Sequence, residues 1–425
     1  MEWITLIVFF LLIVLIIVIV IKKINKKIKE APFWEMEKKL DELTCPYCHK
    51  LHRIGINFKS SDENWIIMCS SNIMGTRKGC YAKEFKRTTD GFIPFPYVIV
   101  CLRCKQTAKD MHLYCPETKK EIPIDLITMK NLSIALLGAK ASGKSNYIGV
   151  LVEEIRRKMT GAYNCSLSIA SCRETKRTYE DIYYRPLYEE GHTVLATAGG
   201  EIPPPLIYPL MFFGKKNKIV NMAALILYDT AGENLDDNNV IREFNIYIMN
   251  ANGIIMLLDP LQVPAIRNKL KANGFNDLPE QNTETAYILS TIMDTMRNIK
   301  NVKGQIDIPI ALVFTKIDVL EKYNVLPADS CLRNESEHIN RGVFLKSDFD
   351  NTNLGVQQGL LENWLGGEIE GFLRQFKNYS FFGVSALGAN PAGTTIDSMG
   401  IRPRRVLDPL LWLLAENGYI RTLNR

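Results

Sequence analysis

The 425-residue sequence has no low-complexity tract and no repeat with a period of 20–50 residues, which excludes solenoids, propellers and fibrous arrays. Neither sign of charge dominates. Its 52 Lys and Arg against 46 Asp and Glu leave a formal net charge of +6, too small for whole-chain charge to argue for nucleic acid. Beyond the N-terminus no stretch is long and apolar enough to span a bilayer, which excludes a polytopic helical membrane protein. The first segment lacks the marks of a cleaved signal peptide: Glu2 stands where basic residues belong, and lysines follow where small residues belong.

What remains is an ordinary globular composition, 47% hydrophobic and 23% charged, in a chain long enough for two or three domains. Residues 3–21 carry no charge and one polar side chain, Thr5. At ~1.5 Å per residue about 20 residues cross the hydrocarbon core, so this run is expected to be an uncleaved transmembrane anchor. "KKINKKIKE", residues 22–30, follows with five lysines. The positive-inside rule then puts the bulk of the chain in the cytoplasm, on a single-pass protein of the inner membrane.

Seven of the ten cysteines fall between residues 45 and 115. A cytoplasmic body argues against disulfides, and the spacing suggests metal. "CPYC" supplies Cys45 and Cys48, Cys69 and Cys80 follow, "CLRC" supplies Cys101 and Cys104, and "HLYC" supplies His112 and Cys115. Eight ligands in four pairs suit about two tetrahedral Zn²⁺ ions. The simplest partition puts Cys45, Cys48, Cys69 and Cys80 on one ion and Cys101, Cys104, His112 and Cys115 on the other. Interleaved sites, and His49 or His52 replacing a member, stay open. Closed sites of this kind would be structural. The module lacks a convincing basic-aromatic surface, so protein contact or spacing from the membrane is its expected role, with nucleic-acid or damage sensing as the alternative.

From residue 131 the pattern changes. "NLSIALLG" reads as a buried strand and "KSNYIGVLVEEIRRKM" as an amphipathic helix. Between them "GAKASGKSN" has the Gly-x4-Gly-Lys-Ser form of a phosphate loop in the strand–loop–helix context that such a match requires. Gly138, Ala139, Lys140, Ala141, Ser142, Gly143 and Asn146 would shape the cradle. Lys144 would reach the β- and γ-phosphates, and Ser145 would offer its hydroxyl to Mg²⁺. "ALILYDTAGEN" ends a strand in Asp229, placed to approach Mg²⁺, and in Gly232, whose N–H can meet the γ-phosphate. "IALVFTKIDVL" ends in Thr315, Lys316 and Asp318. The Asp318 carboxylate can accept from guanine N1–H and N2–H, a pair that adenine does not offer. "FFGVSALG" supplies Ser385, Ala386 and Leu387, with the Ala386 N–H facing guanine O6.

"GAKASGKS", "DTAG", "TKID" and "SAL", in this order and each after an apolar strand, resemble the translation-factor and Ras-like class of P-loop GTPases. Together with the apolar N-terminus, the cysteine ribbons, "LLDP" at 257–260 and the closing "RRVLDPLLWLL", the chain looks like the bacterial double-GTPase domains of multi-gene conflict, stress or defence systems. The resemblance implies GTP/GDP and Mg²⁺ as cofactors, hydrolysis of GTP to GDP, and a second GTPase or an activating protein as partner. This chain carries one P-loop, so a paired GTPase would be a separate protein or absent.

The chain departs from a minimal GTPase in three places. About 85 residues separate Lys144 from Asp229, so the first switch carries an insertion. Thr197 is the expected Mg²⁺-binding switch threonine, with Thr193 the alternative. Glu233 stands where many family members place a glutamine that orients water, which predicts slow intrinsic turnover. About 70 residues lie between "TKID" and "SAL", an inserted helix-rich segment suited to a partner. "RPRRV", residues 402–406, reads as a solvated face, with an internal arginine finger as the alternative. Lys140 could reach phosphates or point to solvent.

The expected architecture is therefore α/β. An anchor spans 1–22, a basic linker 23–40, a zinc-ribbon-like module 41–125, and a three-layer P-loop GTPase domain with a mostly parallel sheet 130–425. The expected function is a membrane-anchored regulatory GTPase. Beside it stand a nucleotide-gated scaffold with little hydrolysis, and a zinc-module sensor with an accessory NTPase.

Overall fold

The structure is a computed structural model that describes residues 42–48, 50–53, 66–69, 85–88, 98–101, 111–123, 126, 129–139, 141–168, 172–195, 204–229, 248, 250–280, 304–357 and 371–424. The expected anchor at 3–21 lies outside them. Among the described residues no helix is long and apolar enough to cross a membrane. The chain divides into two compact units, Met1–Lys120 and Glu121–Arg425.

The first unit is built from short antiparallel pairs. Glu42–Thr44 pairs with Leu51–Arg53, Ile66–Cys69 with Met111–Tyr114, and Phe85–Thr88 with Val98–Cys101.

The second unit is organised on a seven-stranded sheet. Its strands in chain order are β1 (Lys130–Gly138), β2 (Cys165–Leu167), β3 (Leu206–Phe213), β4 (Ile219–Asp229), β5 (Gly253–Leu258), β6 (Ile310–Phe314) and β7 (Tyr379–Gly383). They lie in the order β7-β6-β5-β1-β4-β3-β2. β4, β1, β5, β6 and β7 run parallel, and β3 runs antiparallel to both of its neighbours. The four motif-bearing apolar runs expected to be strands form as β1, β4, β6 and β7. The edge strand β2, within the inserted region, was not anticipated from its three residues.

These strands read as unbroken apolar runs because both faces of the sheet are covered. Along β1, Leu132, Ile134 and Leu136 enter one core while Ala135 and Leu137 enter the other. β5 and β6 alternate in the same way. The first core packs under α1 (Lys144–Glu154) and the C-terminal helix Asp408–Glu416. The second packs under Pro264–Ala272 and Ile317–Lys322. Gly253 opens β5 because a Cβ there would fall 2.7 Å from Leu413, so the C-terminal helix rides directly on the sheet.

The "RPRRV" stretch is a solvated face only at Arg402, which is exposed; Arg405 and Val406 are buried. Arg405 adopts a left-handed backbone (φ 55°) and is only 4% exposed. Its guanidinium meets both carboxylate oxygens of Asp348 at 3.0 and 3.1 Å and Asp408 at 2.8 Å, and it donates to the Asn334 carbonyl at 3.0 Å. The reason is local: the turn before the last helix points this side chain inward, where the buried Asp408 and the half-buried Asp348 need a cation. Arg404 pairs with Glu321. His338 adjoins Asp348 and Asp408, but the guanidinium already supplies the positive charge there. Neither Arg404 nor Arg405 is free to act as a finger.

Breaking a buried pair leaves charge uncompensated, at a cost of about 3–5 kcal/mol. Arg405→Ala is therefore expected to lower the chemical-denaturation stability of the second unit by that amount. A change below ~1 kcal/mol would mean that the clasp is not holding the last helix.

Candidate functional site

The site forms at the C-terminal ends of β1, β4, β6 and β7, which the parallel sheet brings to one edge. β1 ends at Gly138, and the chain turns through Ala139–Gly143 into α1. Gly138 is required for space: a Cβ would lie 2.6 Å from Ser142 Oγ and 2.9 Å from the Leu257 carbonyl. Gly143 is required for conformation, since it caps the helix with φ 87°. The Lys144 ammonium reaches back to donate to the Gly138 carbonyl at 2.9 Å, across the mouth of the loop. Ser142 Oγ is buried and has no hydrogen-bond partner. The α1 N-terminus adds the positive end of its dipole. A glycine that admits no Cβ, an unsatisfied hydroxyl and a lysine over a helix N-terminus fit a bound polyphosphate.

Beside it, Ser145 Oγ donates to Asp229 Oδ2 at 3.2 Å. This joins the two residues expected to attend Mg²⁺, an oxygen set that suits that hard cation. Asp229 is buried. Desolvation pushes its carboxyl above the usual range, against Lys144 and the two hydroxyls that hold it down. The second hydroxyl belongs to Tyr183, whose Oη donates to the same Oδ2 at 3.0 Å.

Tyr183 was not anticipated as a site residue. It lies in the inserted region, on the helical segment Tyr179–Glu190. Tyr179, Tyr183 and Leu187 recur every four residues and face α1, where the absence of a side chain at Gly149 admits Leu187 and Tyr183. Tyr179 Oη donates to the Gly149 carbonyl at 3.0 Å. That aromatic spacing in "YEDIYYRPLYEE" was the available signal. The insertion returns to the site a second time: Asn146 Oδ1 accepts from Val194 N–H at 2.8 Å. Thr193 bonds through its backbone N–H to the Thr394 carbonyl at 2.7 Å.

The "TKID" loop is laced to the phosphate loop. Thr315 Oγ1 donates to the Ser142 carbonyl at 3.0 Å. Lys316, at φ 55°, extends its ammonium to the Ala141 carbonyl at 3.1 Å and to Asp259 Oδ2 at 2.7 Å. Asp259, from "LLDP", is 4% exposed and also accepts from Leu261 N–H. Asp318 meets Ser385 Oγ at 2.5 Å, and Ser385 Oγ in turn accepts from Gly388 N–H at 3.0 Å. Burial pushes the Asp318 carboxyl above the usual range, opposed chiefly by the Ser385 bond. The strand-end serine is held by paired backbone bonds with Arg404, and Ala386 and Leu387 pack against the first core.

The structure thus gathers Gly138, Ala139, Ala141, Ser142, Gly143, Lys144, Ser145, Asn146, Asp229, Thr315, Lys316, Asp318 and Ser385 at one sheet edge. Lys140, Thr197, Gly232 and Glu233 lie outside the described residues. In the first unit Cys45, Cys48 and Cys115 offer sulfur atoms all within 4.8 Å of one another. The simplest partition puts Cys115 beside Cys101, Cys104 and His112, with interleaved sites left open. Spacing along the chain said nothing about which turns face each other. The side chains of Cys69, Cys80, Cys101, Cys104 and His112 lie outside the described set.

No family model matches the chain. The SaeC protein of Mycolicibacterium smegmatis, named for ESX-1 scaffolding and assembly, is 25% identical over 326 residues, covering 72% of this chain and 80% of that protein. Similar solved structures include the Arl6 BBS3 small GTPase of Trypanosoma brucei with bound GppNp, at 12% identity and a TM-score of 0.28 over 68% of this chain and 97% of that one. The SRb-GTP/SRX complex of Chaetomium thermophilum is 14% identical, with a TM-score of 0.29 over 63% of this chain and 95% of that one. Both scores lie below 0.5, so a nucleotide reading must rest on the loop geometry and the motifs.

Tyr183→Phe removes one hydrogen bond to a buried carboxylate, a loss of about 1.5–3 kcal/mol. The variant should melt earlier than wild type in proportion. An unchanged melting temperature would show that Asp229 does not depend on the inserted helix.

Proposed function

We propose that this chain is a guanine-nucleotide switch: it binds GTP and Mg²⁺ at the loop 138–146 and hydrolyses GTP to GDP. The observation that carries the reading is the Asp318–Ser385 pair, held beside the phosphate loop by Thr315 and Lys316. A carboxylate held on a loop tied to a phosphate cradle can accept two N–H donors from one edge of a base, and guanine presents them. The loop amides and Lys144 would bind the β- and γ-phosphates, and Ser145 would hold the ion with Asp229 behind it. When bound, Mg²⁺ supplies charge neutralisation for phosphoryl transfer to water, and the protein contributes positioning. Glu233, one residue beyond the "DTAG" motif, would repel an anionic γ-phosphate and keep intrinsic turnover slow.

The uncharged 3–21 run and the lysines after it support a single-pass anchor with the body on the cytoplasmic side of the inner membrane. Alkaline carbonate that released the intact chain from membranes would contradict the anchor. One observation favours a second reading, in which nucleotide gates a scaffold and hydrolysis is incidental: the 25% identical relative that matches over 80% of its length is named for scaffolding and assembly. Phosphate release separates the two, since the switch reading expects turnover that an activating protein or second GTPase raises, and the scaffold reading expects retained GTP. A role in a bacterial conflict or stress system belongs to the same proposal.

Asp318→Asn is expected to weaken GTP by about tenfold or more, the loss of a hydrogen bond to a charged group. It should turn preference toward xanthosine triphosphate, whose base has a carbonyl where guanine has its amine. Lys144→Ala should weaken all nucleoside triphosphates alike. A competition titration in which Asp318→Asn leaves the base preference unchanged would contradict the assignment.

A further inference from the structure

The three thiols of the first unit sit in a repeated frame. Cys45-Pro-Tyr-Cys48-His-Lys50 and Cys115-Pro-Glu-Thr118-Lys-Lys120 align position for position. Each opens with the same bond, Cys45 N–H to the Lys50 carbonyl at 3.0 Å and Cys115 N–H to the Lys120 carbonyl at 3.0 Å. Each aims the amide two or three residues on at its own sulfur: Tyr47 N–H lies 3.4 Å from Cys45 Sγ, and Thr118 N–H lies 3.4 Å from Cys115 Sγ. The turns also clasp each other reciprocally. Lys50, closing the first, pairs with Glu117 of the second at 2.7 Å. Lys120, closing the second, lies 5.0 Å over the Tyr47 ring of the first. Two like turns therefore face each other about an approximate dyad, with Cys45 and Cys115 fully buried between them.

We propose that Cys45, Cys48 and Cys115 share one structural Zn²⁺ with one further ligand. At a Zn–S bond of about 2.3 Å, the sulfurs of a tetrahedral site stand about 3.8 Å apart. Cys48 Sγ and Cys115 Sγ are 3.6 Å apart, close to that edge and far from the ~2.05 Å of a disulfide. Amides directed at sulfur stabilise thiolate, the form that binds metal. The second turn carries Thr118 where the first carries Cys48, so the pair offers three thiolates. With one further ligand, three thiolates complete the tetrahedral set that structural zinc takes. The remaining CxxC pair, Cys101 and Cys104, is thereby freed for any second ion without Cys115.

The test is metal content of the purified full chain and its variants by elemental analysis. If Cys45 and Cys115 serve one ion, Cys45→Ser and Cys115→Ser each lose one zinc per chain, and the double variant loses no more than either. If they serve different ions, the double variant loses two, which overturns the proposal, as does iron in place of zinc in the wild type. A variant that fails to fold would blur that count, so a gain is needed as well. Cys48→Ser should lose the same zinc, and adding Thr118→Cys to it should restore one zinc per chain, because the dyad relates positions 48 and 118. Failure of that rescue also overturns the shared site.

Discussion

The ammonium of Lys316 holds the site together. It lies between the Asp259 carboxylate at 2.7 Å and the Ala141 carbonyl at 3.1 Å, so it ties the end of β6 to the turn that follows β1. Thr315 adds a second tie to the same turn. Without them the loop that meets phosphates and the loop that carries Asp318 would be separate surface turns, each free to wander by more than the reach of a hydrogen bond. Asp259 makes this possible because it is buried on a strand end and already satisfied on one oxygen by Leu261 N–H. A paired charge of this kind contributes little net stability against an apolar alternative. Its value is geometric, because it fixes the spacing between two recognition elements.

The inserted region extends the same logic to the metal side of the site. An ordinary insertion between α1 and β3 could have looped into solvent. Here it lies on α1 through Tyr179, Tyr183 and Leu187, returns a hydroxyl to Asp229 and hands a backbone amide to Asn146, the residue after Ser145. Its far end is bonded to the segment that follows the "SAL" turn, where Ile396 N–H donates to the Gly191 carbonyl at 2.8 Å and Thr193 N–H to Thr394. Rearrangement around Ser145 and Asp229 would be felt by the insertion. Such a region can bias an equilibrium only through differential contacts, and these bonds are where such contacts exist.

Much of this was legible in the sequence because the central strands are buried on both faces. Their apolar runs left few alternatives, and the motif residues had to fall at strand ends, where parallel sheets place their ligand-binding loops. What escaped had no period. β2 is three residues long and gains its place by pairing with β3. Arg405 looked like one of a run of solvent-facing charges, but a single left-handed residue turned it inward. Asp259 was visible only as part of "LLDP", with nothing to pair it with Lys316 until the chain folded. The cysteine spacings suggested metal ligands, but which turn faces which depends on how distant segments fold together, as the 67-residue separation of Cys48 and Cys115 shows.

The central claim is that the laced loops select guanine. It is tested most directly by equilibrium titration of the wild-type full chain with GDP and with ADP in the presence of magnesium. Because guanine satisfies the Asp318 carboxylate and adenine leaves it unpaired, GDP should bind at least about tenfold more tightly. Equal affinities, or a preference for ADP, would contradict the account.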